Sequence, residues 1–316
     1  MKVLITGVSG NVGYFLAKYL VSKKIRVIGI DKKDNGLIKH SKYFNFIKAD
    51  VADIMAIKNI FREYKPTHVI HLAYLMKSLH NKEKEHNIDV NGTVNVMAAA
   101  DSTKSVRQFL EFSSASAYGA YKDNKPWIKE NQPLNPGCYR YGVYKKEAEE
   151  KLLSFKKRAG LKLVIVRMCT AVGPDEHKKG GLVELIVKSP FLIKFGGKYC
   201  DVQFIHQHDL QRIAEKILKD KTIHGIYNLA PDSYCSVKSL LPDKKFINLP
   251  VIAAEIAAFI TWHLRLSNIH PASIKLSAYG IIISPKKLIK RLNYNFKYST
   301  LTAFKDVLNS GFLKQK

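Results

Sequence analysis

Lys2-Val3-Leu4-Ile5-Thr6-Gly7-Val8-Ser9-Gly10-Asn11-Val12-Gly13 follows the initial methionine. Lys2–Thr6 reads as a short apolar strand. Val12–Ser22 carries Val12, Phe15, Leu16, Tyr19 and Leu20 at helical spacing. Between them stand glycines 7, 10 and 13. Only glycine permits so tight a turn and so close an approach of a pyrophosphate. The helix that follows offers unpaired N–H groups and a partial positive charge to the phosphates. With 18 Gly in 316 residues, the spacing alone arises by chance about 0.06 times per chain. Its position between a strand and a helix sharpens the signal toward a dinucleotide.

The next strand, Arg26–Ile30, ends in Asp31, 18 positions after Gly13. A carboxylate there accepts hydrogen bonds from an adenosine ribose and repels a 2′-phosphate. It therefore favours NAD over NADP, although Lys32 and Lys33 temper the repulsion.

The alternation continues. Strands are expected at Asn45–Lys48, His68–His71, Arg107–Phe112 and Lys162–Val166, and helices at Ile54–Tyr64, Asn87–Ala100 and Tyr141–Lys157. Such alternation means right-handed βαβ units and a parallel sheet. The continuous apolar runs Val3-Leu4-Ile5 and Leu163–Val166 suit strands buried on both faces. After residue 170 the rhythm loosens (Gly173-Pro174, Gly180-Gly181, Ser189-Pro190, Gly196-Gly197), with helices expected at Leu182–Lys188, Asp209–Lys219 and Ile252–Leu266. The expected fold is α/β: a Rossmann-type, doubly wound parallel sheet with a smaller C-terminal substrate lobe. Residues 1–170 form the NAD-binding domain and 171–316 a substrate lobe partly interleaved with it.

Phe112-Ser113-Ser114-Ala115-Ser116-Ala117-Tyr118-Gly119 follows a predicted strand, where ligands bind in open α/β sheets. Downstream, Tyr141 and Lys145 stand four apart and share a helical face. A nearby ammonium favours an ionised phenol; a downward shift of roughly three units is about 4 kcal/mol of differential interaction. Such a tyrosine removes a hydroxyl proton near neutral pH, and Ser114 orients that hydroxyl. The Tyr-x-x-x-Lys pattern starts at Tyr14, Tyr19, Tyr118, Tyr121, Tyr141 and Tyr234. Only the Tyr141 pair opens a helix just downstream of the serine cluster, after Pro133, Pro136 and Gly137.

In these motifs the chain resembles the extended short-chain dehydrogenases/reductases, the NAD-dependent epimerase/dehydratase group that includes nucleotide-sugar epimerases. The resemblance runs from residue 1 to about 230 and, more weakly, to the end. Thr6–Gly13, with Asn11 and Val12, looks like its glycine motif. Asp50-Val51 resembles the pair at adenine, and His71-Leu72-Ala73 the stretch lining the cofactor, so that Leu72 and Ala73 are expected there. Gly92-Thr93 with Asn95-Val96 matches its central helix. Ser113-Ser114 through Tyr118-Gly119 matches the motif of the catalytic Ser/Thr, and Tyr141 and Lys145 match the catalytic pair. Arg167 through Gly173-Pro174, Phe204-Ile205-His206, Asp209-Leu210 and Tyr227-Asn228 match later motifs. The resemblance implies that Tyr141 takes a hydroxyl proton, Ser114 holds that oxygen, and Lys145 binds the nicotinamide ribose and lowers the tyrosine pKa. It also implies a homodimer through a four-helix interface.

The chain departs from the group at Asp89 and Thr170, where asparagine is usual. Ala115-Ser116 stand where the dehydratase subgroup has Asp-Glu, which argues against sugar 4,6-dehydration. The leading expectation is an NAD-dependent oxidoreductase or epimerase of a nucleotide sugar. A second is an NAD(P)-dependent dehydrogenase or reductase of a steroid-like or other apolar alcohol or carbonyl, whose pocket Ile252–Phe259 and Ile281–Ile283 would line. A third is an NAD(P)-binding sensor or scaffold without turnover.

The charge balance is 52 Lys+Arg against 26 Asp+Glu, a formal +26. Such a field draws in anionic ligands. The lysines are spread along the chain in pairs such as Lys23-Lys24, Lys32-Lys33, Lys178-Lys179 and Lys286-Lys287, without a nucleic-acid motif, so no specific nucleic-acid partner is expected. Cys138, Cys169, Cys200 and Cys235 have no disulfide or metal spacing and read as thiols in a reducing compartment. His206 and His208 lack an evident third ligand, so no metal is expected. Asp209 reads as a helix N-cap, and Trp127 as loop packing. The longest apolar stretch, Leu249–Ile260, is interrupted by Glu255 and is too short to span a bilayer. No signal peptide is evident, and a cytoplasmic location is expected.

Overall fold

A computed structural model describes residues 1–76, 78–176, 182–267 and 270–310. Lys178-Lys179 and Gly180-Gly181 lie outside the described residues. In chain order the elements are β1 (Lys2–Thr6), α1 (Asn11–Ser22), β2 (Arg26–Asp31), β3 (Phe44–Lys48), α2 (Ile54–Tyr64), β4 (His68–His71) and α3 (Lys82–His86). A π turn (Asn87–Asn91) leads into α4 (Gly92–Ser102). Then come β5 (Gln108–Ser114), α5 (Arg140–Ser154), β6 (Lys162–Met168), β7 (Thr170–Val172), α6 (Leu182–Lys188), β8 (Leu192–Phe195), β9 (Asp201–Val202), β10 (Phe204–His206), α7 (Gln207–Lys219) and β11 (Gly225–Leu229). The chain continues with β12 (Cys235–Ser236), α8 (Val237–Leu240), β13 (Phe246–Leu249), α9 (Val251–His263), α10 (Ile274–Ala278), α11 (Lys286–Leu292) and α12 (Thr300–Asn309).

Seven strands form one parallel sheet in the order β11-β6-β5-β4-β1-β2-β3. From β1 the chain moves outward through β2 and β3, then returns to pair β4 on the other side of β1. The order therefore reverses between β1 and β4. This is where open α/β sheets bind ligands, at the carboxyl ends of the strands. The Rossmann-type expectation is borne out. Most elements of the first half fall within a residue or two of their sequence-based bounds. The expected single helix at 87–100 is instead the π turn, which contains Asp89, followed by α4, with α3 running into them from Lys82.

The chain divides into two compact units. The first comprises residues 1–113, 144–167 and 210–227; the second 114–143, 168–209 and 228–316. The core of the first packs Leu4 and Val69 with Ile57 and Phe61 of α2, Val96 and Met97 of α4, Leu152 of α5 and Ile165 of β6. These central strands are apolar on both faces because helices cover both. The second unit has its own core, in which Phe304 and Val307 of α12 pack with Val172, Phe204 and Leu240. It also contains three two-stranded pairings, β10–β7, β12–β9 and β13–β8.

Candidate active site

The glycine turn needs its glycines for separate reasons. Gly7 has φ +71°, a region L side chains rarely adopt, and a Cβ there would lie 2.7 Å from the Leu72 carbonyl oxygen. A Cβ on Gly13 would lie 2.2 Å from the Gly7 carbonyl oxygen, so the first turn of α1 folds directly against the loop. Gly10 is the N-cap residue of α1 and makes no side-chain cap, and Asn11 and Val12 open the helix. No acidic side chain stands in this first turn, which keeps its positive end open to phosphate.

Asp31 closes β2. One carboxylate oxygen accepts the Ser9 N–H at 3.0 Å and the other the Lys32 N–H at 2.7 Å. The acid is thereby tied to the glycine loop. The Lys32 ammonium turns away to Asp50, at 2.6 Å. Lys32 thus spends its charge on a carboxylate instead of neutralising Asp31. Asp50 also accepts the Ala52 N–H, and its pKa is lowered by these partners against the opposing effect of burial. Val51 is buried, its backbone carbonyl held by Asn95 Nδ2 at 3.1 Å. A Cβ on Gly92 would lie 2.6 Å from Val51 Cγ2, so the glycine of α4 seats this segment.

At the reversal of strand order, Thr6 and His71 end β1 and β4. Thr6 Oγ1 lies 2.7 Å from His71 Nδ1 and accepts the N–H groups of Leu72 and Ala73 at 3.2 and 3.4 Å. His71 Nε2 meets Thr93 Oγ1 at 3.0 Å. Burial, with Lys145 adding, pushes His71 down to about 3. The ring is therefore neutral, with one nitrogen donating and one accepting. Gly7, Leu72 and Ala73 are brought against one another here.

Lys145 is sealed in the first unit. Its ammonium donates to the Phe112 carbonyl, lies 3.3 Å from Glu111 Oε1 and sits 3.0 Å from the centre of the Tyr74 ring. Burial holds Lys145 below its ordinary pKa, while Glu111 and Asp89 pull it back up. Burial likewise pushes Glu111 and Asp89 each up to about 7 against the pull of Lys145. Asp89, on the π turn, accepts the Leu75 N–H at 2.9 Å. Glu111 and Tyr74 are site residues that sequence reasoning missed. A signal existed for Glu111: a carboxylate in the otherwise apolar run Phe109-Leu110-Glu111-Phe112 of a central strand.

Ser114 and Tyr141 belong to the second unit. Ser114 caps a 3₁₀ turn (Ala115–Tyr118), and its Oγ accepts the Ser116 N–H at 3.1 Å and the Ser116 hydroxyl at 2.9 Å. With both acceptor directions used, the Ser114 O–H is oriented to donate. Tyr118 OH donates to Asn228 Oδ1 at 2.9 Å, and Asn228 Nδ2 donates to the Ile128 carbonyl at 2.8 Å, pinning the turn. Tyr141 lies in the first turn of α5, its ring tilted 59° against Tyr139. A Cβ on Gly142 would lie 2.7 Å from the Ser116 carbonyl oxygen and 2.9 Å from Pro136 Cβ. Glycine here lets the start of α5 rest on the turn that carries Ser114, so the tyrosine and serine motifs meet.

Residues 3–230 match the model of the NAD dependent epimerase/dehydratase family. The chain belongs to this family. The cofactor of this NAD-dependent family is NAD, and the Gly7–Gly13 loop with Asp31 fits it: a positive φ, an approach closed to any Cβ, and a carboxylate held at the strand end. Similar curated proteins include a probable dTDP-glucose 4,6-dehydratase of Sinorhizobium fredii, 26% identical over 59% of this chain and 58% of its own length. A UDP-glucuronate 4-epimerase of Thermodesulfobacterium geofontis is 28% identical over 54% of this chain and 56% of its own. The chain thus spans just over half the length of these relatives. Among solved structures, the Bordetella bronchiseptica enzyme WbmG in complex with NAD and UDP superposes with a TM-score of 0.79 over 98% of this chain and 93% of that one. Its identity is 19%, so this likeness shows the fold.

One expectation outside the site is corrected by the structure. Asp209 is not the N-cap: it lies within the first turn of α7, fully buried, and accepts the Tyr294 hydroxyl at 2.7 Å and the N–H groups of Lys297 and Tyr298 at 3.0 Å. The loop before α12 supplies donors that a cap would have taken from its own helix. His206 lies 3.1 Å from Asp306 and stacks on Tyr298 at 3.8 Å. Among the described residues, no three His, Cys, Asp or Glu side chains group to hold a metal ion. No helix among them is long and apolar enough to cross a membrane.

Proposed function

We propose that this chain is an NAD-dependent oxidoreductase or epimerase of a nucleotide sugar, working through Ser114, Tyr141 and Lys145. The observation that carries this reading is Gly142 resting on the Ser116 carbonyl, which sets Tyr141 beside the turn of Ser114. Residues 1–170 hold the cofactor, and 171–316, interleaved with them, take the substrate.

Tyr141 takes the proton of a sugar hydroxyl. Ser114 donates to that same oxygen as carbonyl character develops, which its two accepted hydrogen bonds pre-orient. Lys145, one helical turn after Tyr141, would favour the phenolate through its positive charge; to reach the nicotinamide ribose its ammonium would leave Glu111 and the Phe112 carbonyl. Gly7, Gly10, Asn11, Val12 and Gly13 hold the pyrophosphate, Asp31 the adenosine ribose, Asp50 and Val51 the adenine end, and Leu72 and Ala73 the cofactor wall. When bound there, NAD would supply the hydride acceptor for the sugar carbon and, in an epimerase, the hydride donor for its return to the opposite face.

The curated relatives include 4,6-dehydratases as well as epimerases. Here Ala115 is buried, and Ser116 hydrogen-bonds Ser114, at the two positions where dehydration would need an acid and a base. These two residues favour ring oxidation or epimerisation over dehydration. The test is to denature the purified protein, identify the released nucleotide, and assay UDP- and dTDP-sugars. Tightly held NAD with inversion at a sugar carbon supports the epimerase. Release of water to give a 4-keto-6-deoxy sugar overturns the exclusion of dehydration. Failure to bind NAD overturns the reading altogether.

A further inference from the structure

Helix α9, Val251–His263, has no polar face: Glu255, Thr261 and His263 are its only polar residues. A helix apolar all round belongs in a protein interior or in lipid. Here only one side is covered, through Ala254, Ala258 and Trp262. On the other, Ile252, Ile256, Phe259 and Ile260 are 51–65% exposed, and Leu264 and Leu266 extend the stripe past the helix end. Ile252, Ile256, Ile260 and Leu264 stand four apart and line one edge. The strand pair leading into α9 through Pro250 adds Ile193 of β8 and Ile247 of β13, paired in register and both exposed. Thirteen residues make a helix of about 20 Å, too short to span a bilayer of about 30 Å.

The charge of the segment that carries this stripe selects its occupant. From Lys244 to Lys297 the chain has nine Lys or Arg and one acidic residue, Glu255. Glu255 lies within 3.8 Å of Lys275. Lys245, Arg265, Lys286 and Lys290 are exposed. A second copy of the chain seated on this face would bring two such cationic neighbourhoods together, which self-repulsion opposes. An anionic surface with an apolar interior satisfies both features.

We propose that α9 docks this protein peripherally on an anionic lipid bilayer, its apolar stripe entering the boundary between headgroups and acyl chains and the surrounding lysines meeting the headgroups. The stripe supplies the burial that water denies it, and the cations supply attraction that salt screens.

The test is flotation of the full-length protein with vesicles of phosphatidylcholine alone or mixed with phosphatidylglycerol, at low and high salt. The protein is expected to float with the mixed vesicles and to be released by salt. The pair I256S/F259S lowers partitioning by about tenfold or more, because two large apolar side chains no longer leave water. NAD affinity and thermal midpoint report that the variant is folded. K286Q/K290Q leaves the stripe intact and weakens binding at low salt only. No flotation with anionic vesicles overturns the proposal, as does equal flotation on phosphatidylcholine alone. Conversion of a dimer to a monomer by I256S/F259S, with flotation unchanged, overturns it in favour of a second copy.

Discussion

Lys145 Nζ lies 3.3 Å from Glu111 Oε1, with side-chain exposures of 2% and 1%. The strand that carries Ser114 at its end therefore also carries, three residues earlier, the carboxylate that meets the candidate catalytic lysine. Burying a charged pair costs more than its mutual attraction returns unless further groups help. Here the Phe112 carbonyl, the Tyr74 ring and Asp89 supply that help.

This pair gives a pH dependence with a definite sign. Glu111 is raised from 4.5 to about 7, so the folded protein holds a proton there that the unfolded chain releases. The stability from this group is fully present below about pH 4.5 and is lost as pH rises through about 7. Glu111→Gln removes that slope. Between pH 5 and pH 8, the variant gains on the wild type by on the order of 1–3 kcal/mol. Chemical denaturation at the two pH values checks it; parallel changes in both proteins would exclude a raised Glu111.

Tyr141→Phe removes only the phenolic oxygen. Turnover is expected to fall by about 10³-fold, with NAD binding and thermal midpoint unchanged. Steady-state kinetics beside a cofactor titration separate the two effects. Activity near the wild-type level would move the proton transfer to another residue.

Gly142→Ala adds one methyl group at 2.7 Å from the Ser116 carbonyl oxygen. Alanine favours helix over glycine by about 1 kcal/mol. Overlap with backbone outweighs that gain by an expected 1–3 kcal/mol of lost stability. The kcat falls while NAD affinity is kept, because the added methyl lies in the second unit and the glycine loop in the first. A stabilised and fully active variant would show that α5 and the serine turn need no close contact.

Asp50→Asn releases Lys32 from its 2.6 Å contact. A lysine no longer paired beside Asp31 is expected to raise NADP affinity relative to NAD by about tenfold. Asp31→Asn is expected to weaken NAD binding by about 10- to 100-fold, the value of a hydrogen bond to a charged acceptor. Fluorescence titration with each nucleotide reads both changes.

Local chemistry made much of this protein legible in its sequence. The glycines at 7, 10 and 13, the apolar runs of β1 and β6, and the alternation of strand and helix specified a doubly wound sheet. A buried parallel strand and a phosphate-facing turn each admit few residue types. Tyr141 could be chosen from six Tyr-x-x-x-Lys patterns because it alone opened a helix just downstream of the serine cluster. Relations set at long range stayed hidden. Glu111 and Lys145 are 34 residues apart, and Gly142 and Ser116 are 26 apart. The Asp209 carboxylate looks like a cap until the segment 85 to 89 residues later supplies its donors. The exposure of α9 was equally invisible, since its composition alone predicts burial. Periodicity and turn chemistry act within a few residues and can be read along the chain. Desolvation, the pairing of buried charges and the covering of an apolar face depend on what the fold brings near, and only the tertiary structure decided them.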